Sequence, residues 1–402
     1  MNLDLPEEII AKIFTYLSNP IVASQVCSYW KLVANTQVRK IDLKITSEKP
    51  DEIRVLRDAL EEFRSLKKLK LELSSDTNNV EKAKFCNRFS NELTHLSLSE
   101  MTFLNPFFDD PNISFNNLTS FTIENSDLTS SNQISNFILR CCPRLKHLRL
   151  SGCSGLEIET LDYIGQNLNQ TQIETFEFLP TYSYYDTAQT PTRHWTIGRL
   201  KTFSIRSKLV VMKKNFVKNL IGQRSLELKT LELIAELDLG ESLASKVMQN
   251  YPNLEKLSLG KGCGVLKNDD FNALCNFYKK LTSFEFHFTQ TESSLDLKSL
   301  DKNTSIVDLT IGLTKNVSVE NMIAIAKNLP NVSRLSIVLY YLSPSNQAFL
   351  TLITNIFPQV QHISFQRTGM SENMKFTAIK DEIDSPNLRH FDDIKTLSNW
   401  SF

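Results

Sequence analysis

A repeated apolar pattern runs along most of this 402-residue chain and constrains its fold more than any other feature. Each copy has apolar residues at its first, fourth and sixth positions, as in Leu145, Leu148 and Leu150. Successive copies start 25 to 28 residues apart. They begin at Val38, Leu66, Leu93, Leu118, Leu145, Ile173, Leu200, Leu228, Leu254, Leu281, Ile306, Val332 and Val360, with a decayed copy at Leu388. Because a unit this short cannot bury its apolar residues alone, neighbouring copies must stack into a continuous core.

Each copy predicts a short strand followed by a connection that is often helical. Alternate residues of a strand point to opposite faces, so the last two apolar residues of a copy face the core and the residues between them face outward. Helical spacing occurs in the connections at residues 53–63, 132–142, 158–168, 270–281 and 320–329. Proline, which ends a helix, stands shortly before the next strand at Pro143, Pro252, Pro330 and Pro358.

The copy LKHLRLSGCSGL at residues 145–156 resembles the cysteine-containing leucine-rich repeat. The resemblance covers residues 38 to about 394, although most other copies have Ser, Thr or Lys in place of the Asn or Cys of the family motif. It implies an α/β fold, a curved leucine-rich-repeat solenoid or horseshoe with parallel strands on its concave face and helices on its convex face. We therefore expect residues 38–402 to form one solenoid domain.

The segment before the repeats predicts two short amphipathic helices. In LDLPEEIIAKIFTYL, residues 3–17, Asp4 and Glu7 suit a helix-capping box and the apolar residues share one broad face. A second apolar face occurs in IVASQVCSYWKLVA, residues 21–34. Two such helices cannot enclose much core, so their apolar faces need a cover. That cover is either the first repeat, with the helices as a solenoid cap, or a partner protein.

The pattern LPEEII..IF.YL followed by VC..W closely resembles the F-box. The family fold is a small helical bundle that docks on the Skp-type adaptor of SCF ubiquitin ligases, and we assign residues 1–37 to it. The stretch from Leu17 to Trp30 is a little shorter than is usual in the family. The resemblance implies that the adaptor-binding residues are Leu5, Pro6, Ile9, Ile10, Ile13, Leu17, Val26 and Trp30.

Charge and composition exclude several other classes of protein. The 45 Lys and Arg residues balance 45 Asp and Glu residues, which argues against a nucleic-acid-binding protein or one that grips an anionic membrane. We find no apolar run long enough to span a bilayer and no signal peptide. The seven cysteines form no paired CxxC clusters, so we expect reduced thiols, no metal site and a cytoplasmic or nuclear location.

The two resemblances together imply a substrate-recognition adaptor of an SCF-type ubiquitin ligase. It would bind an Skp-type adaptor, and through it a cullin, with the F-box, and a target protein with the repeats. Four histidines, His95, His147, His362 and His390, recur at one repeat position, which favours a tolerated outward position over catalysis. We expect no catalytic residue and no cofactor. The alternatives are an interaction scaffold whose first helices only cap the solenoid and, less favoured, a GTPase activator.

Target binding is predicted for the middle of the outward strand face. Outward positions there include Thr175, Glu177, Thr202, Ser204, Arg206, Thr230, Glu232 and Lys256, whereas the lysines of the first strands are expected to form a solvated face. The connections at residues 105–115 and 180–195 lack helical spacing and carry aromatic residues with proline. Aromatic residues and arginine are enriched in binding hot spots. The predicted target-binding residues are Arg149, Glu177, Tyr182, Tyr184, Tyr185, Trp195 and Arg206.

Overall fold

The computed structural model divides the chain into two compact units, Met1–Leu200 and Lys201–Phe402. The described residues are 28–45, 63, 65–73, 90–100, 114–128, 131–154, 164–179, 199–212, 222–237, 243–260, 268–287, 301–313, 319–340, 355–368 and 375–379. Within them, strands recur with the spacing of the sequence repeat.

In the first unit, consecutive strands pair in parallel and in chain order. The described strands are β1 (Lys40–Ile45), β2 (Lys68–Leu73), β3 (His95–Ser99), β4 (Ser120–Glu124), β5 (His147–Ser151) and β6 (Thr175–Leu179). Equivalent repeat positions lie opposite one another, as where Leu96 pairs with Phe121 and Leu98 with Ile123. The apolar pattern therefore sets the register, since a shift by one residue would turn the buried side chains outward.

In the second unit, the strands from β7 to β13 also pair in parallel and in chain order. They are β7 (Thr202–Met212), β8 (Thr230–Leu237), β9 (Lys256–Leu259), β10 (Ser283–His287), β11 (Asp308–Leu313), β12 (Arg334–Tyr340) and β13 (His362–Thr368). A further strand, β14 (Lys375–Ile379), pairs antiparallel with β13. The thirteen predicted strands are confirmed, β14 was not predicted, and the decayed copy at Leu388 lies outside the described residues.

Apart from α1, which precedes β1, the helices lie between strands, as the repeat predicts. They are α1 (Ser28–Gln37), α2 (Ser131–Cys141), α3 (Leu243–Asn250), α4 (Asn268–Phe277) and α5 (Val319–Asn328), and a 3-10 turn spans Leu168–Gln170. The predictions at 132–142 and 320–329 agree with α2 and α5 to within one residue at each end. The prediction at 270–281 runs four residues past the end of α4. Apart from Phe63, the predicted helix at 53–63 lies outside the described residues.

Aromatic side chains join helices to the apolar face of the strands. Phe137 of α2 lies with its ring centroid 5.9 Å from that of Phe121 on β4. Phe271 of α4 lies 5.4 Å from Phe284 and 5.2 Å from Phe286, both on β10. All five rings are buried. Together with the alternate aliphatic residues of the strands they form the core, and the opposite side of the strands is left to polar side chains.

Buried polar groups also join neighbouring repeats. The hydroxyl of Tyr278 donates to the carbonyl oxygens of Val247 at 3.0 Å and Tyr251 at 2.9 Å, one repeat earlier. The side chain of Asn303, only 1% exposed, donates to the carbonyl oxygens of Cys275 and Tyr278. Tyr251, Cys275 and Tyr278 lie at or just past the ends of helices, where carbonyl groups lack helical partners, whereas Val247 O also accepts a bond from Tyr251 N.

In three successive repeats of the first unit, the residue directly after the strand has a left-handed backbone conformation. Glu100, Asn125 and Gly152 have φ angles of 57°, 47° and 68°. Their amides continue the ladder to the next strand, as where Gly152 N donates to Leu179 O at 2.7 Å. A Cβ on Gly152 would lie 2.2 Å from Oδ1 of Asn125, so close approach as well as φ favours glycine there.

Candidate interaction surfaces

Helix α1 has one buried side and one exposed side. Val33 and Ala34 are buried, whereas Leu32 is 60% exposed. The amide of Val38 donates to Ala34 O at 3.0 Å, so the helix leads directly into β1. The inner side of α1 is thus already covered within the protein, and Leu32 is available on the other side.

We call the outward side chains of the strands the polar strand face. In the first unit, Arg149 on β5 donates from Nη1 to Oε2 of Glu177 on β6 at 2.9 Å. Its Nε makes no hydrogen bond within the described residues and lies 3.7 Å from Oε1 of Glu124 on β4. Two residues predicted to bind a target therefore bind each other, with a carboxylate on either side of the guanidinium.

In the second unit, Glu232 on β8 is the centre of an ionic network. Its carboxylate accepts hydrogen bonds from Ser204 Oγ at 2.7 Å and from Arg206 Nε and Nη2 at 2.8 and 2.7 Å. Lys256 Nζ lies 2.7 Å from Oε1 of the same carboxylate. Burial alone would raise the pKa of Glu232, but the bonds from Arg206, Lys256 and Ser204 outweigh it and lower the pKa to about 2.

A second carboxylate of the same face is paired with a histidine. His287, at the end of β10, is buried and donates from Nε2 to Oε1 of Glu285 at 3.0 Å. Burial opposes ionisation of Glu285, but the bond to His287, the charge of Arg206 and a bond from Ser258 lower its pKa. Gly312 lies opposite His287 in the register, and a Cβ there would lie 2.4 Å from the imidazole Nδ1. The missing side chain makes room for the ring.

The buried thiols are poor candidates for nucleophilic chemistry. Cys141, Cys142, Cys153 and Cys275 are unbridged and buried. Burial raises the pKa of the Cys142 and Cys275 thiols far above its usual range and that of Cys153 to about 11. In the described ranges there is no group of three or more His, Cys, Asp or Glu side chains that could hold a metal ion. No helix in this part of the chain is long and apolar enough to cross a membrane.

Residues 3–43 match the model of the F-box-like family. The chain carries an F-box-like domain. The match begins with the amphipathic segment, includes α1 and ends inside β1. It thus extends six residues beyond the boundary at residue 37 predicted from the sequence. The F-box-like domain is followed at once by parallel strands with the leucine-rich-repeat pattern.

The fold is also similar to solved structures. A chain in the crystal structure of the Rad7 and Elc1 complex in yeast is 16% identical, with a TM-score of 0.48, over 78% of this chain and 82% of that one. The leucine-rich-repeat-containing protein LegL7 from Legionella pneumophila is 15% identical, with a TM-score of 0.38, over 75% of this chain and 92% of that one. A comparison with curated proteins finds no match.

The predicted adaptor-binding residues belong to the F-box-like domain but fall mostly outside the described residues. Trp30 lies on α1, and its side chain is also outside the described part. The remaining seven are Leu5, Pro6, Ile9, Ile10, Ile13, Leu17 and Val26.

Among the predicted target-binding residues, Arg149 and Glu177 lie together on the polar strand face of the first unit, and Arg206 lies in the second unit. Tyr182, Tyr184, Tyr185 and Trp195 lie outside the described residues. The alternation of apolar and polar residues predicted that Glu232 faces outward. It could not predict that Glu232 is the centre of a network, because that depends on the register of β7, β8 and β9.

Proposed function

We propose that the chain is the substrate-recognition adaptor of an SCF-type ubiquitin ligase. Its F-box-like domain binds an Skp-type adaptor and, through it, a cullin, while the repeats bind a target protein. The observation that carries the proposal is the F-box-like match at residues 3–43, directly followed by leucine-rich repeats. In this arrangement one part of the chain holds the ligase and the other holds the target.

The proposed mechanism is proximity. Tethering a target beside a charged ubiquitin enzyme raises the effective concentration of the target's lysines and converts an encounter in solution into a local one. The chain supplies binding surfaces in this mechanism and is not itself an enzyme. The buried, high-pKa thiols of Cys142 and Cys275 are consistent with such a role. We place the protein in the cytoplasm or nucleus, with no nucleic acid, membrane or cofactor.

For target binding we propose Arg149 and Glu177 on the polar strand face of the first unit, Arg206 on that of the second unit, and the connection at residues 180–195. Pairing of the arginines with carboxylates fixes each guanidinium in one position, which lowers the entropy lost on binding. The aromatic residues Tyr182, Tyr184, Tyr185 and Trp195 would add contact area.

A second candidate function is a leucine-rich-repeat scaffold without a ubiquitin ligase role. Burial of Val33 and Ala34 favours it, because the inner side of a helix that caps the first repeat would be covered within the protein. The two functions differ in what the helical segment at residues 1–37 contacts. As a solenoid cap, this segment would contact the first repeat. As an F-box, it would contact another protein.

Affinity purification followed by mass spectrometry separates the two candidates. The variants are Leu5→Ala with Pro6→Ala, and a control, Leu226→Ala, which removes an exposed leucine of the second unit. We expect the wild type and the control to recover an Skp-type adaptor, a cullin and targets, and the double variant to recover targets alone. An adaptor that stays bound to the double variant, or is absent from all three samples, contradicts the ligase proposal.

A further inference from the structure

Most of the described lysine and arginine side chains on the polar strand face have an acidic partner. Within the described side chains, acidic partners are present for Lys40 (Asp42), Arg149 (Glu177), Arg206 and Lys256 (both Glu232), and Arg334 (Asp308). Lys68 and Lys70 on β2 differ. Both are exposed, and neither forms an ion pair with a described residue. Among the described lysine and arginine side chains on the strands of the first unit, those without an acidic partner therefore lie on β2.

The register extends this charge across the next strands. Lys68 lies opposite His95 and Lys70 opposite Ser97 on β3. Ser97 in turn lies opposite Thr122 on β4, and two strands beyond His95 the same row reaches His147 on β5. We call these six residues the basic strip. The strip holds ammonium, imidazole and hydroxyl groups. Three carboxylates border it: Asp42 on β1 lies opposite Lys70 and is paired with Lys40, and Glu72 and Glu124 lie one outward position further along their strands.

The electrostatics of His95 report the same positive field. Burial, Lys68 and His147 all lower its pKa. Its Nδ1 is joined to Thr94 Oγ1 by a hydrogen bond of 2.9 Å, which fixes the ring. An anion placed over the strip would relieve the repulsion between these groups.

We infer that the basic strip binds an extended segment of the target rich in Asp and Glu. That the bound segment belongs to a target rests on the proposed function, whereas the charge complementarity does not depend on it. Neighbouring strands lie about 4.8 Å apart, so β2 and β5 are roughly 14 Å apart, a distance that four or five extended residues cover.

The side-chain chemistry favours carboxylates over phosphate. Bidentate recognition of phosphate is the particular strength of arginine, whereas lysine acts as a compact point charge. Arg149, which lies opposite Thr122 on the next strand, is already bonded to Glu177. Lys68 and Lys70 with the hydroxyls of Ser97 and Thr122 suit a row of single carboxylates.

The test uses the full-length chain and a fluorescein-labelled hexapeptide of alternating Asp and Glu, with binding followed by fluorescence anisotropy at low salt. We expect Lys68→Gln with Lys70→Gln to weaken binding about tenfold, since each exposed ion pair contributes modestly. The control, Lys279→Gln with Lys280→Gln, removes the same charge from exposed positions of the second unit and should bind like the wild type. Histidine NMR should show the pKa of His95 rise when the peptide binds.

Three results would overturn the inference. They are unchanged binding by the Lys68 and Lys70 variant, equal weakening in the control, and preference for a phosphoserine peptide of the same length over the Asp and Glu peptide. Adaptor binding measured on the same samples separates this inference from the proposed function. The Lys68 and Lys70 variant should retain the adaptor. A wild type that binds the peptide but no adaptor would contradict the ligase proposal and still support peptide binding by the basic strip.

Discussion

Replacing Glu232 with glutamine should destabilise the second unit far more than an equivalent change at the surface. The side chain of Glu232 is 10% exposed, and its carboxylate accepts bonds from Ser204, Arg206 and Lys256. Glutamine keeps the shape of the side chain but removes the charge. Arg206 and Lys256 would then face each other without the anion between them, and a buried acceptor would be weakened.

The size of the effect follows from the pKa of Glu232, which folding lowers from 4.5 to about 2. At about 1.4 kcal/mol per unit this corresponds to roughly 3 kcal/mol. Arg206 and Lys256 are 40% and 42% exposed, so solvent screens part of the attraction. We therefore expect Glu232→Gln to lower the free energy of unfolding by about 2 kcal/mol at pH 7.

The pH dependence has a definite sign. Because the folded pKa lies below the unfolded one, the stabilisation is complete above about pH 4.5 and is lost as the pH falls towards 2. The difference between wild type and Glu232→Gln should thus shrink to about 1 kcal/mol at pH 3. Urea unfolding followed by circular dichroism at both pH values measures it.

Glu255→Gln is the matched control. Glu255 also pairs with a lysine at 2.7 Å, but its side chain is 50% exposed. An exposed pair contributes little, so its loss should cost about 0.5 kcal/mol or less. Equal losses in the two variants, or a Glu232→Gln effect that does not change between pH 7 and pH 3, would refute the reasoning.

Two further predictions concern the core and the target. Tyr278→Phe removes the hydroxyl that serves Val247 and Tyr251 and should lower the free energy of unfolding by about 1–2 kcal/mol, measured by urea unfolding; no loss would show that the hydroxyl is dispensable. Tyr184→Ala with Tyr185→Ala changes no residue of the Glu232 network and should abolish target capture in affinity purification while the adaptor is retained. Normal target capture would exclude this connection from the binding site.

The apolar pattern was sufficient to predict the parallel strands because the apolar residues at alternate positions of each copy are the ones that the strands bury. Leu148 and Leu150, for example, are both fully buried on β5. The strand β14 escaped prediction because Lys375–Ile379 carries no copy of the pattern and its antiparallel pairing depends on a reversal of the chain. The end of α4 was misplaced because apolar residues continue past Phe277, where Tyr278 turns inward to serve carbonyl groups of the preceding repeat.

The candidate sites were less predictable than the fold. Alternation shows that Arg206 and Glu232 face outward, but their ion pair joins residues 26 positions apart and depends on the diagonal contact between β7 and β8. The solvated lysine face predicted for the first strands became a candidate site only when the ion pairs of the neighbouring strands were known. Sequence gives the charge of Lys68 and Lys70, and structure gives the absence of a described acidic partner.

Direct binding of the purified chain to a purified Skp-type adaptor is the measurement that tests the central claim. Calorimetry should give a 1:1 complex, and Leu5→Ala with Pro6→Ala should weaken it by about 2 kcal/mol for each hot-spot side chain, or roughly 30-fold each. Circular dichroism should show the double variant to be folded. A wild type that does not bind the adaptor, or a folded double variant that binds as tightly as the wild type, would contradict the account.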